Sequence, residues 1–148
     1  MAASIAMKAV RTDRTQDLPT YSKEGDAGLD LRSTIDADIL PGERLAVPCG
    51  IKVAIPDGYA GLVIPRSGLA LRCGITIVNA PGLIDSGYRG EIKAILMNAD
   101  GAETFHISKG DRIAQLVIIE VPRITLVEAD ELDATARDES GFGSSGSR

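Results

Sequence analysis

Prolines divide the middle of the chain into short segments. Pro41, Pro48, Pro56 and Pro65 recur every seven to nine residues. Because a proline lacks an amide hydrogen and holds φ at about −65°, neither a long helix nor a long central strand can run through this region. Between the prolines, apolar side chains alternate with lysine or alanine over residues 51–55, which is the period of a strand. Short strands with turn signals at this spacing predict an all-β sandwich or barrel.

The same alternation appears elsewhere, whereas helical signals are weak. Residues 75–77 and 124–126 each place a threonine between two apolar side chains, and residues 1–11 contain another predicted strand. Residues 67–72 could form one or two helical turns, and residues 128–136 could be a short helix or an irregular segment. We therefore expect one short helix at most.

Composition limits the possible partners. The chain has 148 residues, 44% of them hydrophobic and 25% charged, which favours one folded domain over a disordered chain. Its net charge of −5 argues against non-specific nucleic-acid binding. No apolar run reaches the ~18 residues of a membrane span. We predict no nucleic-acid and no membrane partner, and a polyanionic ligand would be small and held by a few local cations with a metal ion.

The cysteines and the first residues indicate the compartment. Cys49 and Cys73 are 24 residues apart with no second pair, a spacing that fits neither a zinc site nor a disulfide framework. The start of the chain has no basic leading segment of the kind found in export signals. These features favour the reducing cytoplasm.

Two segments are apolar on both faces. Residues 92–97 and 113–121 are rich in large aliphatic side chains at neighbouring positions, and strands of this kind are covered on both sides. The second cover is either another subunit or a thick monomeric core. We expect an oligomer.

Two segments carry groups suited to anions or cations. In residues 27–33, Asp30 points away from the flanking leucines, and taken alone it would be a solvated acid on a strand face. In residues 65–70, Arg66 and Ser67 follow a proline at the start of a helical turn. Free N–H groups, a guanidinium and a hydroxyl suit phosphate oxygens there; the alternative is a capped turn with a surface arginine.

Residues 79–91 hold three glycines, which allow sharp bends and close backbone approach. We interpret the segment as a glycine-lined hairpin whose unpaired backbone groups could match the hydrogen-bonding edge of a base. Asp85 lies beside this opening and Tyr88 follows three residues later. A carboxylate there could orient and deprotonate a water, although an ordinary β-turn would have the same spacing.

The remaining polar residues indicate a function less clearly than these segments do. Gln115 interrupts an apolar strand, so its amide needs a partner, either backbone or ligand. The only histidine, His106, is expected to be structural or exposed. The sequence contains no nucleophile elbow, no Walker phosphate loop and no His/Cys cluster, so any metal would be a hard cation held by carboxylates, water and phosphate.

Five segments together resemble, in order, the five motifs of the dUTPase family, which are trimeric all-β deoxyuridine triphosphate nucleotidohydrolases. They are AGLDLRS at 27–33, PRSGLA at 65–70, NAPGLIDSGYRGEI at 79–92, KGDRIAQLVI at 109–118 and RDESGFGSSG at 137–146. The resemblance implies hydrolysis of dUTP to dUMP and pyrophosphate with Mg²⁺, which keeps uracil out of DNA and supplies dUMP for dTMP synthesis.

The resemblance also implies an architecture. Residues 1–136 would form a single jelly-roll-like β domain with the trimer core, and each active site would be assembled from more than one subunit. Residues 137–148 would be a flexible arm that closes over a site formed by other subunits. Ser140–Ser147 has seven Gly or Ser in eight residues, which is typical of a flexible coil; a frayed tail is the alternative.

Roles at the nucleoside follow from the same resemblance. Asp85 resembles the carboxylate that activates the attacking water and holds the sugar 3′-OH. Tyr88 resembles the ring that packs under deoxyribose and leaves no room for a 2′-OH. The residues expected to contact uracil are Asn79, Gly82, Leu83, Ile84 and Lys93.

Roles at the phosphates and the metal follow likewise. Arg66, Ser67 and Gly68 resemble the cradle of the α- and β-phosphates, with Gln115 as a further contact. Asp30 resembles the acid near Mg²⁺, acting through water while the triphosphate holds most of the metal. The arm residues expected to bind substrate are Arg137, Phe142, Gly143, Ser144 and Ser145, with Phe142 stacked on uracil and Arg137, Ser144 and Ser145 at the γ-phosphate.

The fifth motif departs from the family pattern, and two other functions compete with dUTP hydrolysis. Asp138 and Ser140 stand where the family usually has glycine, which could stiffen the arm or bring a carboxylate near the phosphates. A dCTP deaminase shares the fold but carries a catalytic glutamate ten residues after the aspartate, where this chain has Ile95. A trimeric module that binds nucleotides without turnover would not need Asp85 and Tyr88 together.

Overall fold

The structure is a computed structural model that describes residues 4–136 and residue 139. Within them the chain forms eleven strands and one helix. The strands are β1 (Lys8–Arg11), β2 (Leu29–Arg32), β3 (Ala37–Ile39), β4 (Arg44–Pro48), β5 (Ile51–Ala54), β6 (Tyr59–Ile64), β7 (Ile75–Ile77), β8 (Gly82–Ile84), β9 (Lys93–Asn98), β10 (Phe105–Ile107) and β11 (Arg112–Glu120), and the helix α1 (Ser67–Cys73) lies between β6 and β7.

The strands pair into four antiparallel sheets. One sheet has the order β2-β11-β6-β8 and another the order β4-β9-β7, while β1 pairs with β5 and β3 with β10. Their inward side chains share one core that includes Leu31, Val47, Leu96 and Leu116, each at most 1% exposed. The all-β prediction with a single short helix is confirmed over the described residues, and the sheet-rich arrangement is jelly-roll-like rather than one closed barrel.

Alternation of apolar residues correctly predicted two of the strands. In β5, Ile51 and Val53 are buried while Lys52 is exposed. In β7, Ile75 and Ile77 are buried on either side of a half-buried threonine. Each pair points to one face of its strand and packs into the core, as a period of two requires.

The helix begins and ends where local chemistry dictates. Pro65 ends β6, and the next residues form α1. Gly74 ends the helix in the left-handed conformation (φ 64°), and its N–H donates to the carbonyl of Ala70. Glycine takes this conformation at the lowest steric cost because it has no Cβ. No helix in residues 4–136 is long and apolar enough to cross a membrane.

Gly74→Ala should lower the free energy of unfolding by about 1–2 kcal/mol, because alanine pays a steric cost in the left-handed region. A Cβ at this position would also come within 3.0 Å of the Asp100 backbone nitrogen. Thermal unfolding measures the effect. Gly101→Ala is the control, since a Cβ there meets nothing within 4 Å; equal stability of the two variants would contradict the prediction.

The segment after β11 differs from expectation. No strand forms at residues 124–126, where Ile124 and Leu126 are 80% and 90% exposed. A strand needs a hydrogen-bonding neighbour, and none of the described strands lies beside this segment. Residues 128–136 are irregular rather than helical.

The glycine-lined hairpin was also predicted wrongly. β8 pairs with β6 in the four-stranded sheet, whereas β9 pairs with β4 and β7. Residues 85–92 therefore cross from one sheet to the other. This crossing, and not a hairpin turn, positions the polar residues described next.

Candidate active site

One cavity brings together most of the residues that the sequence assigned to a nucleoside. It has a volume of about 340 Å³. Its remaining walls are largely aliphatic and include Val63 and Ile95. Seven predicted residues line it: Asn79, Gly82, Leu83, Ile84, Asp85, Tyr88 and Lys93.

The floor of the cavity is an edge strand. β8 pairs with β6 on one side only and is the last strand of its sheet. An edge strand presents unpaired N–H and C=O groups along its free side. Gly82 in this strand is buried, and a Cβ there would lie 3.4 Å from both the Asn79 amide nitrogen and the Val63 Cβ.

Asp85 and Tyr88 follow directly after this strand. The Tyr88 N–H donates to the Asp85 carbonyl at 3.1 Å and closes a turn between them. The Tyr88 hydroxyl donates to the Glu91 carbonyl at 3.0 Å, while the side chain remains 46% exposed. The tyrosine therefore presents its ring at the mouth of the cavity, with its hydroxyl already occupied.

The Asp85 carboxylate is exposed and unpaired by its own chain. Over residues 4–136 it makes no hydrogen bond and no ion pair. A carboxylate in this position is free to accept a hydrogen bond from a water or a ligand hydroxyl, which a general base must be able to do.

A second cluster of predicted residues surrounds Asp30. Contrary to the solvated acid that the sequence taken alone indicated, Asp30 is 9% exposed. Its carboxylate lies 3.4 Å from the Arg66 Nε and 3.3 Å from an Arg112 terminal nitrogen, and accepts a hydrogen bond from the Ser22 hydroxyl at 2.8 Å. Burial of the charge is possible because two guanidinium groups face it.

The remaining phosphate candidates adjoin this cluster. Arg66 donates to the Arg112 carbonyl at 3.1 Å, which fixes its side chain at the end of β6. Ser67 is the first residue of α1, and Gly68 follows it. Gln115 faces Asp30 across the β2–β11 pair, and its amide makes no hydrogen bond to the described residues. The half-buried amide is therefore open to water or to a ligand.

The two clusters lie at opposite ends of β6. Ile84 pairs with Gly61, which puts Asp85 level with Ala60, whereas Arg66 follows β6 at its other end. Strands rise about 3.3 Å per residue, so the six residues between these levels separate Asp85 from Arg66 by about 20 Å. One chain therefore carries both halves of the predicted site but does not bring them together.

The described residues fit a metal only weakly. No three His, Cys, Asp or Glu side chains among them are close enough to form a metal cage. Asp30 Oδ1 is buried and accepts no hydrogen bond among the described residues, but the Arg66 Nε lies 3.4 Å from it, so its nearest partner is a guanidinium. Most ligands of a hard cation would then come from phosphate oxygens, as is usual for Mg²⁺.

Cys49 offers no covalent alternative. Burial raises the pKa of its thiol to about 12, so at neutral pH it is protonated and unreactive.

Sequence reasoning missed two residues of these clusters and named others that lie beyond the described part of the chain. Arg112 stands in the fourth motif segment, but only the pairing of β2 with β11 reveals that it faces Asp30. Glu91 lines the cavity beside Tyr88 and was given no role. The arm residues Arg137, Phe142, Gly143, Ser144 and Ser145, like Asp138 and Ser140, fall outside the described residues.

An edge strand open to a base, a free carboxylate at the cavity rim and an arginine cluster suited to phosphate define a nucleotide hydrolase. A sequence model of the dUTPase family matches residues 14–146. The chain belongs to the dUTPase family.

Characterised relatives carry the name deoxyuridine 5′-triphosphate nucleotidohydrolase. The one from Streptomyces coelicolor is 53% identical over 136 residues, which are 92% of this chain and 74% of that protein. The one from Corynebacterium glutamicum is 53% identical, over 95% of each chain. Among solved structures, the dUTPase of Staphylococcus bacteriophage 80alpha with dUPNHPP has a TM-score of 0.89 at 28% identity and covers 97% of this chain and 99% of its own.

Proposed function

We propose that this dUTP nucleotidohydrolase, an enzyme that hydrolyses dUTP to dUMP, uses Asp85 to activate the attacking water. The observation that carries the proposal is the free carboxylate at the rim of the nucleoside cavity. Asp85 would take a proton from the water while the water oxygen forms a bond to the α-phosphorus. The bond from that phosphorus to the bridging oxygen breaks, and pyrophosphate leaves with the electron pair.

Uracil would be read by the free edge of β8. Backbone donors and acceptors there can pair with the O4 acceptor and the N3–H donor of uracil, with Asn79 and Lys93 beside them. Cytosine reverses the donor and acceptor at these two positions and would leave buried polar groups unpaired, which sites of this kind reject by roughly 10⁴-fold. Ile95, on the cavity wall, cannot shuttle protons, which argues against deamination.

Arg66, Ser67, Gly68 and Gln115 would hold the phosphates. Two arginines face the single Asp30 carboxylate, so this cluster retains one positive charge for an anion. Mg²⁺, when bound to the triphosphate, would offset its negative charge and stabilise the leaving pyrophosphate. Asp30 would contact that ion through water.

The active enzyme would be a homotrimer in which each site joins the nucleoside cavity of one copy to the phosphate cluster of another. The separation of about 20 Å within one chain supports this arrangement. Exposed apolar side chains on and after β11 would be available for contact between the copies. Leu126 and Leu132 are 90% and 92% exposed, and Ile119 on the outer face of β11 is 36% exposed.

Residues 137–148 would close over a site formed by other copies. Phe142 would stack on uracil, while Arg137, Ser144 and Ser145, with the adjoining Gly143, would contact the γ-phosphate. The motif match across residues 137–146 supports this role, which aromatic stacking and charge-assisted hydrogen bonds would perform.

A substrate panel tests the proposed function. We expect pyrophosphate release from dUTP with Mg²⁺, and much slower release from dCTP, dTTP and UTP. Ammonia release from dCTP would indicate a deaminase instead. Binding of dUTP without cleavage would indicate a nucleotide-binding module, and either result would overturn the proposal.

A further inference from the structure

We propose that Glu91 is a positioning residue that holds Tyr88 in place and thereby maintains discrimination against a ribose 2′-OH. The inference rests on the proposed role of Tyr88 as the wall under deoxyribose. The family resemblance assigns no role to Glu91. The inference follows from the contacts that the Glu91 side chain makes in the structure.

The Tyr88 ring lies directly on the backbone of residues 90 and 91. Its hydroxyl donates to the Glu91 carbonyl at 3.0 Å. A Cβ on Gly90 would collide with the hydroxyl and the ring carbon that bears it, so only glycine allows this close approach. The orientation of the ring therefore follows any shift of the backbone at residues 90–91.

The Glu91 side chain fixes that backbone to two distant parts of the chain. Its Oε1 accepts a hydrogen bond from the Thr12 hydroxyl at 2.8 Å and another from the Gly50 N–H at 2.9 Å. Thr12 is 79 residues away and Gly50 is 41 residues away. Both lie outside the five motif segments and outside the nucleoside cavity.

The Glu91 carboxylate thus connects the backbone beneath the Tyr88 ring to the turn between β4 and β5 and to the segment after β1. Glu91 is half-buried, and bonds from N–H or O–H to a charged acceptor are stronger than neutral ones. The peptide between Glu91 and Ile92 has one further anchor, because the Ile92 N–H donates to the Ile51 carbonyl at 2.9 Å. Loss of the Glu91 side chain would therefore loosen, without releasing, the backbone that carries the acceptor of the Tyr88 hydroxyl. The ring could then move away from the sugar and admit a 2′-OH.

Glu91→Ala should reduce the ratio of kcat/KM for dUTP to that for UTP by about tenfold, the combined size expected for the loss of both tethering hydrogen bonds. Glu91→Gln keeps an acceptor oxygen at the same place and should retain the ratio within about threefold. Both ratios are measured by pyrophosphate release. An unchanged ratio in Glu91→Ala would overturn the inference, as would an equal loss in Glu91→Gln.

A control separates positioning from general stability. Asp100 also accepts two hydrogen bonds on one carboxylate oxygen away from the cavity, but within a local turn, since its Oδ1 accepts from the Ala102 and Glu103 N–H groups at 2.8 and 2.9 Å. Asp100→Ala should lower the melting temperature and leave the dUTP/UTP ratio unchanged. A shift of that ratio equal to the one in Glu91→Ala would refute a positioning role.

A milder variant covers the case in which Glu91→Ala does not fold. Thr12→Val removes one of the two hydrogen bonds and should shift the ratio in the same direction by about threefold, whereas Thr12→Ser should restore it. No shift in Thr12→Val, or no restoration in Thr12→Ser, would overturn the inference. Absence of dUTP hydrolysis by the unmodified protein would instead overturn the proposed function.

Discussion

Asp85→Asn should reduce the turnover of dUTP by about a thousandfold, because asparagine cannot accept the proton of the attacking water. The side chain is exposed and has no partner within the described part of the chain, so the variant should fold normally. Exposed substitutions without such partners usually change stability by about 0.5 kcal/mol or less. Binding of a non-hydrolysable dUTP analogue should be retained. Single-turnover measurements of dUMP formation, with calorimetry for binding, check both expectations.

Asp57→Asn is the matched control for Asp85→Asn. Like Asp85→Asn, it removes one negative charge. Asp57 and Asp85 both line a neighbouring cavity of about 350 Å³. Asp57 is paired only with Arg123, at 3.1 Å, among the described residues. Near-normal turnover in Asp85→Asn, or an equal loss in Asp57→Asn, would reject the role of Asp85 as the base.

Deletion of residues 137–148 should reduce kcat/KM for dUTP by about a hundredfold or more. Loss of one base–aromatic stack and of charge-assisted bonds to phosphate removes about 3 kcal/mol of binding in total. The described strands pack around one shared core, and we expect the shortened chain to keep its fold and oligomeric state. Activity assays and sedimentation of the same sample measure both properties.

Phe142→Leu distinguishes stacking from the rest of the arm. It removes the aromatic face and keeps an apolar side chain of similar volume, and it should reproduce part of the loss. Dissociation of the oligomer on deletion would show that the arm is structural and would contradict the proposed role.

Local patterns predicted much of the fold because they report on local physics. The alternation in β5 and β7 and the turn after Pro65 each involve a few consecutive residues, and the structure confirms them. Residues 124–126 show the limit of this reasoning. The alternation there is as regular as in β7, yet the segment has no neighbouring strand in the described chain and its side chains remain exposed.

Non-local pairing explains what sequence reasoning missed at the candidate site. The burial of Asp30 between Arg66 and Arg112 depends on β2 and β11 being neighbours, and no spacing along the chain reveals this. The pairing of β8 with β6, instead of β9, places Asp85 and Arg66 at opposite ends of one strand. The resemblance named both residues, but only the register of β6 and β8 shows how far apart they lie in one chain.

Subunit mixing tests the central claim, that each site combines Asp85 of one copy with Arg66 of another. Asp85→Asn and Arg66→Gln should each be nearly inactive alone, and equal amounts refolded together should form mixed oligomers. In such a mixture about one quarter of the sites should join an intact Asp85 to an intact Arg66, as random assembly of a symmetric oligomer requires. We predict recovery of about one quarter of the parental activity. No activity beyond that of the two separate variants would contradict a site shared between copies.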